Sequence, residues 1–319
     1  MTGASDLERF LAYVRTFELG YLADAWAALE PYLAEDVRHV VHSEGSLRMD
    51  DRGRSAVIDG LRRSVHGMDR RFDARIPELI EGPCVRPDGI WMRFSLRLRR
   101  AGLPELRIEG EHVAEYAAGR IVRIEEWTLP GAGERVDDFL AEHDARLRPF
   151  AAPAGPPADP RDARELEAAL QRTLVRAYGC AKSRQDVGAA LALASEDFVV
   201  ETVSLGLASR DRKEAEQQLA FLFHVFPDYQ VSLEGMASGD GVVAAWGRAR
   251  LSWRGPFAGH APTGRTAELP FVSVFPCAGG TLRGERFFFD LASLCEQIGL
   301  PIAAAQRAAG GLRALEGSA

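Results

Sequence analysis

Along residues 243–253 apolar and polar side chains alternate. Val243, Ala245, Gly247, Ala249, Leu251 and Trp253 hold the odd positions, while Arg248, Arg250 and Ser252 hold even ones. A period of two predicts a strand with one buried and one wet face. It lies in a stretch, residues 226–290, punctuated by Ser238-Gly239-Asp240-Gly241, a Gly255–Gly264 loop and Gly279-Gly280. Those turn signals divide the stretch into four strands. Near the start the period lengthens to that of a helix. Leu7, Phe10, Leu11, Val14 and Phe17 share a face, Gly20 marks a break, and Trp26, Leu29 and Leu33 continue a second pattern. A short strand over 36–42 and a helix over 53–67 follow, the latter with Val57, Ile58, Leu61 and Val65 on one side. Strands near 71–80, 90–99, 106–116 and 121–129 come next, and a helix over 134–147 closes this part.

The order then repeats. Helices are predicted near 161–182, 185–194 and 211–226, and strands near 197–203, 229–237, 242–253, 266–275 and 281–289. A short helix over 290–299 ends the pattern. Three landmarks keep a nearly constant offset: Asp88-Gly89 against Asp240-Gly241 at 152 residues, and Glu35-Asp36 against Glu196-Asp197 and Gly119 against Gly280 at 161. Two repeats of this length imply a duplicated domain, not a solenoid. Five prolines (149, 153, 156, 157 and 160) lie between the halves and read as a semi-rigid linker. The expected organisation is a first domain over 1–148, a linker over 149–160, a second domain over 161–302 and a tail over 303–319. Helices preceding a long, mostly antiparallel sheet in each half give an α+β fold.

With 46% apolar residues and a net charge of −7, the chain suits a soluble protein with two cores and not a nonspecific nucleic-acid binder. Cys84, Cys180, Cys277 and Cys295 are far apart and form no CxxC pair, which argues against a zinc site or disulfide framework and for a reducing, cytoplasmic setting. The N-terminus lacks the pattern of a signal peptide, and no apolar run approaches the roughly 20 residues that span a bilayer.

Strand parity points to candidate chemistry. In 106–116, His112 shares the apolar side with Leu106, Ile108 and Ala114; in 121–129, Glu126 shares a side with Val122 and Ile124. A His and a carboxylate on neighbouring strands form an acid/base pair whose ionisation burial moves toward neutrality. The same arrangement also serves as a satisfied core pair. His42 and Glu44 end the first strand, although the parity of Val37, His39 and Val41 turns His39 inward instead. His39 and His42, three apart on a strand, face opposite ways and make a poor metal pair, so no metal is expected.

Phe226-Pro227-Asp228, the loop from Gly255-Pro256-Phe257 to Pro262-Thr263-Gly264-Arg265, and the closing run Leu291-Ala292-Ser293-Leu294-Cys295-Glu296-Gln297-Ile298-Gly299-Leu300 resemble SnoaL-like polyketide cyclases. The first repeat resembles a divergent member of the same nuclear-transport-factor-2-like superfamily. The resemblance implies two tandem cones, each a curved sheet covered by helices around an apolar pocket. It also implies a fused pseudo-dimer that can pair further as a homodimer, a hydrophobic small-molecule substrate and no cofactor. His112 falls where ketosteroid isomerases of this superfamily keep an oxyanion-stabilising Asp, and His42 where they keep a base. Their helix-one tyrosine falls at Phe17, and Tyr13 is one turn away.

In the second half the offset maps His112 to Ser273 and Glu126 to Phe287, and the family's Trp-Asp pair reads Arg286-Phe287. Tyr178 takes the helix-one tyrosine position, with Glu201 and His224 nearby. Phe271, Phe275, Phe287 and Phe288 imply a filled or wholly apolar second cone. The expectation is therefore an acid/base enzyme that cyclises or isomerises a polyketide-like metabolite, with its chemistry in the first half. His112, Glu126, His42 and Tyr13 are the expected catalytic groups, and Phe17, Trp91, Tyr178 and Ser273 the expected substrate contacts. The alternatives are an epoxide hydrolase of the same fold or a non-catalytic binding protein.

Overall fold

The structure is a computed structural model that describes residues 4–149 and 160–308. Residues 150–159 of the expected linker and 309–319 of the expected tail lie outside the described residues. The chain divides into two compact units, Met1–Thr173 and Leu174–Ala319. The first holds α1 (Ala4–Ala23), β1 (Leu33–His42), β2 (Met49–Arg52), α2 (Arg54–Gly67), β3 (Ala74–Arg86), β4 (Gly89–Arg99), β5 (Leu106–Ala117), β6 (Arg120–Thr128) and α3 (Ala132–His143). Helix α4 (Pro160–Ser183) follows and carries the division between the units. Glu165 in its first turns accepts hydrogen bonds from Arg97 and Arg99 of β4, which ties that part of α4 to the first unit.

Six strands form one sheet in the order β2-β1-β6-β5-β4-β3. Every neighbouring pair is antiparallel except β1 with β6. Phe72, Leu98, Leu106, Ile108, Val136 and Leu147 form a buried cluster in which α3 packs on the sheet. Leu7, Phe10, Leu29 and Val57 are fully or nearly fully buried, so the predicted apolar faces of α1, α2 and the turn between them do face inward. Gly20 does not break α1, which runs on to Ala23. A side chain there would meet the Trp26 ring, so the glycine lets the Trp26–Tyr32 turn fold back onto the helix.

The second unit repeats the plan with α5 (Val187–Ala192), β7 (Ala194–Thr202), β8 (Leu207–Ala208), α6 (Arg212–Val225), β9 (Gln230–Gly239), β10 (Val242–Ser252), β11 (Thr266–Ala278), β12 (Thr281–Phe289) and α7 (Leu291–Ile298). Its sheet order, β8-β7-β12-β11-β10-β9, is that of the first with one parallel pair, β7 with β12, in the corresponding place. The helices start on sequence-local caps: Asp186, Asp211 and Asp290 each accept a backbone N–H of the first turn. Helix α7 ends on Gly299 in the left-handed conformation that glycine adopts at little cost. The short edge strands β2 and β8, of four and two residues, escape periodicity because so few positions show no period.

One reading about the cysteines is corrected. Cys277 and Cys295 are free and buried, whereas Cys84 and Cys180 are disulfide-bonded. Sequence spacing does not report which sulfurs meet in space. No helix among the described residues is long and apolar enough to cross a membrane.

Candidate functional site

The first unit encloses a cavity of about 210 Å³ between α1, α2 and the inner face of the sheet. Its walls include Val14, Phe17, Leu61, Met92, Phe94 and Ile108. Against this apolar lining stand two groups of ionisable side chains.

The first group is centred on Glu126. The β5–β6 register sets His112 opposite Glu126, and the parallel pairing of β1 brings His39 beside it from the other flank. His39 Nε2 is 3.2 Å from Glu126 Oε1, and His112 Nδ1 is 3.5 Å from the same oxygen. Both imidazoles are buried. Burial alone would raise the Glu126 carboxyl, but the hydrogen bonds and electrostatic attraction of His112 and His39 outweigh it. They hold Glu126 well below the usual carboxylate range. His39 Nδ1 and His112 Nε2, the ring atoms turned away from the carboxylate, are buried without a hydrogen-bond partner. Tyr13 lines the same cavity, and burial, reinforced by the Glu126 charge, keeps its phenol protonated far above its ordinary range.

The second group is a carboxylate–guanidinium–carboxylate chain. Arg75 donates from Nη1 to Glu18 Oε1 at 2.6 Å and from Nε to Asp69 Oδ2 at 2.7 Å. All three side chains are at most 9% exposed. Burial raises the Asp69 carboxyl, and Arg75 offsets only part of that rise. The guanidinium also lies 5.2 Å over the Phe17 ring, another wall of the cavity.

Of the six site residues expected in the first half, His112, Glu126, Tyr13 and Phe17 converge on this cavity. Two do not. The His42 side chain is 45% exposed, stacks on the Trp127 ring and reaches Glu125 at 3.3 Å. The alternation of β1 buries Val37, His39 and Val41 and turns His42 out, so His39 takes the place expected of His42. Trp91 is on the face of β4 opposite Met92; its Nε1 donates to Glu111 Oε2 at 3.1 Å, and Arg86 covers its ring. It packs outside the cavity. Glu18, Asp69 and Arg75 give no sequence signal, because they come from α1, a turn and β3 and meet only through the fold.

In the second unit the β11–β12 register does pair Ser273 with Phe287, as the offset predicts. The expectation of a wholly apolar second cone is overturned. Glu285, two residues before Phe287, is 2% exposed and accepts from both Lys182 and Tyr178. Lys182 Nζ is 3.0 and 2.9 Å from the two carboxylate oxygens, Tyr178 donates at 2.8 Å and Ser273 at 3.1 Å. Tyr178 and Ser273, expected to hold substrate, spend their hydroxyls on this carboxylate. Glu285 shares the inward parity of Phe287, two residues on, so it was legible by following the mapped position back along β12. Lys182 was legible as a cation one turn beyond Tyr178 on the same helix face. Glu201 pairs with Arg286 at the surface and His224 is exposed, so neither belongs to a site. The cone is not filled either: a cavity of about 110 Å³ remains, bordered by Phe226, Leu251 and Phe287 among others.

Residues 171–298 match the model of the family described as SnoaL-like polyketide cyclase. The first unit repeats the strand order of the second. No curated protein matches the chain. Among solved structures, AclR from Streptomyces galilaeus is 19% identical over 42% of this chain and 88% of its own, with a TM-score of 0.38. IdmH from Streptomyces antibioticus is 20% identical over 41% of this chain and 99% of its own, with a TM-score of 0.37. A nuclear-transport-factor-2-like protein from Burkholderia pseudomallei is 21% identical over 40% and 97%, with a TM-score of 0.35.

Proposed function

We propose that the protein is a cofactor-independent acid/base enzyme whose chemistry lies in the first unit and whose substrate is an apolar, enolisable, polyketide-like small molecule that it cyclises or isomerises. The observation that carries this reading is Glu126 shared by His39 and His112 at the wall of an apolar cavity. An ionised Glu126 fixes the proton of each imidazole on the nitrogen that faces it. The far nitrogens, His39 Nδ1 and His112 Nε2, then carry lone pairs, and both are buried and unpartnered on side chains that line the cavity. One ring removes an acidic proton between two carbonyls, and the imidazolium that forms is stabilised by Glu126. The Tyr13 phenol, held neutral, can donate to the enolate oxygen. That imidazolium then returns its proton at a different carbon, which completes an isomerisation, or protonates the oxygen formed when the enol carbon attacks a second carbonyl.

Exchange of the acidic C–H of a cyclic 1,3-diketone into D2O, followed by NMR, tests this. Glu126→Gln is expected to slow the catalysed exchange by about 10²-fold or more, the range typical of general acid/base groups. Unchanged exchange in a folded Glu126→Gln variant, with His112→Gln equally silent, would sink the proposal.

A second reading is epoxide hydrolysis, favoured by the Glu18–Arg75–Asp69 chain on the same cavity. One carboxylate would activate water while Asp69, its carboxyl raised by burial, protonates the opening oxygen. Incorporation of ¹⁸O from water into a diol, abolished by Asp69→Asn and not by Glu126→Gln, would select it.

A further inference from the structure

The cavity that holds Glu126 is smaller than the substrate class proposed for it. It measures about 210 Å³, whereas pockets for drug-sized ligands run to roughly 300–1,000 Å³ and benzene alone occupies an apolar cavity of about 150 Å³. A polyketide-like molecule of several rings therefore places one end inside and leaves the rest outside. The shared wall sets where the rest goes. Val41, Met49 and Thr128 line this cavity and also a polar groove of about 570 Å³, framed by the end of β1, by β2 and by the start of α3. A side chain at Gly133 would overlap the Glu44 carbonyl oxygen, so the glycine lets α3 start against the segment that carries Glu44. Val41 and Thr128 are β-branched and stiff, while Met49 is unbranched and is the part of the wall that yields.

Most of the charge in the groove is already spent. Arg38 donates from Nε and Nη2 to the two oxygens of Asp50, at 2.8 and 2.7 Å. His42 is held by Glu125 and by the Trp127 ring. Two charges of opposite sign remain: among the described residues the Arg48 and Glu44 side chains make no hydrogen bond or ion pair, and both are exposed to the groove's solvent. Between them, Thr128 Oγ1 donates to Ser43 Oγ at 2.8 Å, which leaves the Ser43 hydroxyl hydrogen unspent.

We propose that the substrate of the first unit is bipartite: an apolar, enolisable head in the Glu126 cavity and a neutral, polyhydroxylated arm, of the chemistry of a sugar, in the groove beside Arg48, Glu44 and Ser43. The inference rests on the acid/base reading of that cavity and names the substrate which that reading leaves open. The unspent groups select the arm. An anionic arm meets Arg48 and is repelled by Glu44, and a cationic arm meets the reverse. An apolar arm strips water from both charges and returns nothing. A zwitterion answers both signs, but ion pairs between exposed groups contribute little. A hydroxyl donates to Glu44, accepts from Arg48 and carries no charge of its own, and hydrogen bonds to ionised partners are the stronger kind.

The test uses four derivatives of one enolisable bicyclic head, 6-hydroxy-2-tetralone: its β-glucoside and its methyl, carboxymethyl and aminoethyl ethers. Each is titrated into the full chain by calorimetry, and exchange of its acidic C–H into D2O is followed by NMR. The glucoside should bind at least about fivefold more tightly than the methyl ether, the order of one hydrogen bond, and more tightly than either charged ether. Arg48→Ala and Glu44→Ala should each cut that advantage to about twofold or less. Four outcomes overturn the proposal: no glucoside binding at millimolar concentration, no advantage over the methyl ether, tighter binding of a charged ether, or an advantage that survives both substitutions. The exchange readout separates this inference from the reading beneath it. A glucoside advantage that depends on Arg48 and Glu44 without catalysed exchange upholds the groove and sinks the acid/base reading, and catalysed exchange without that advantage does the reverse.

Discussion

His39 and His42 differ by three positions on one strand and end in opposite environments, one 2% and the other 45% exposed. That difference puts one at the wall of the first unit's cavity and leaves the other on the surface. Glu126 has a measurable consequence for stability. Its carboxyl titrates below the unfolded range, held down by His112 and His39 against the effect of burial. A depressed folded-state pKa means that the ionised group favours the folded state above the unfolded value, near 4.3, and that this contribution disappears as pH falls below it. The stability gap between wild type and Glu126→Gln should therefore be widest near pH 6, narrow steadily as pH falls below about 5, and close only well below the usual carboxylate range in urea unfolding. A gap independent of pH would mean that Glu126 is not ionised in the folded protein. Lys182 is the cationic counterpart in the second unit. Burial lowers its ammonium, but Glu285 more than compensates, so it stays charged and does not become a nucleophilic amine.

Strands deliver these side chains, and small irregularities decide which way they point. The β9–β10 pairing slips between Trp246 and Gly247, and a side chain at Gly247 would overlap the Ser232 carbonyl oxygen across the sheet. Gly239 ends the same ladder with nothing within 4 Å of its would-be side chain. Gly247→Ala should cost about 1–3 kcal/mol through overpacking of a backbone that cannot retreat. Gly239→Ala should stay within about 0.5 kcal/mol of the wild type. Equal effects of the two substitutions on the urea midpoint would show that the close approach at the bulge is not stabilising. The period-two pattern along 243–253 does not reveal this bulge, because an apolar glycine fits the alternation equally well.

At the level of the molecule, one topology occurs twice with different buried chemistry: imidazole and carboxylate in one unit, ammonium, carboxylate and phenol in the other. Each cluster is bonded within its own unit, so its loss should loosen that unit locally. Hydrogen–deuterium exchange read by mass spectrometry should show faster exchange in β5 and β6 of Glu126→Gln with β11 and β12 unchanged. The reverse should hold for Glu285→Gln. Loosening of both sheets by either substitution would show that the two cores open as one cooperative body.

Much of this plan was legible in the chain. Periodicity located the long strands and helices, because a buried face repeats its apolar residues at the period of the backbone. The constant offset disclosed the duplication, and the His112–Glu126 pair followed from parity on two strands without an interruption between the relevant residues. Tertiary structure decided what parity and spacing cannot carry. Helix α4 brought Lys182 and Tyr178 onto Glu285, and three segments distant in sequence brought Glu18, Asp69 and Arg75 into contact. Folding also left Tyr229 with a buried hydroxyl and no partner. Periodicity reports the average environment of a face, whereas a site depends on which individual atoms meet across elements, and that is fixed only when the sheet closes over its helices.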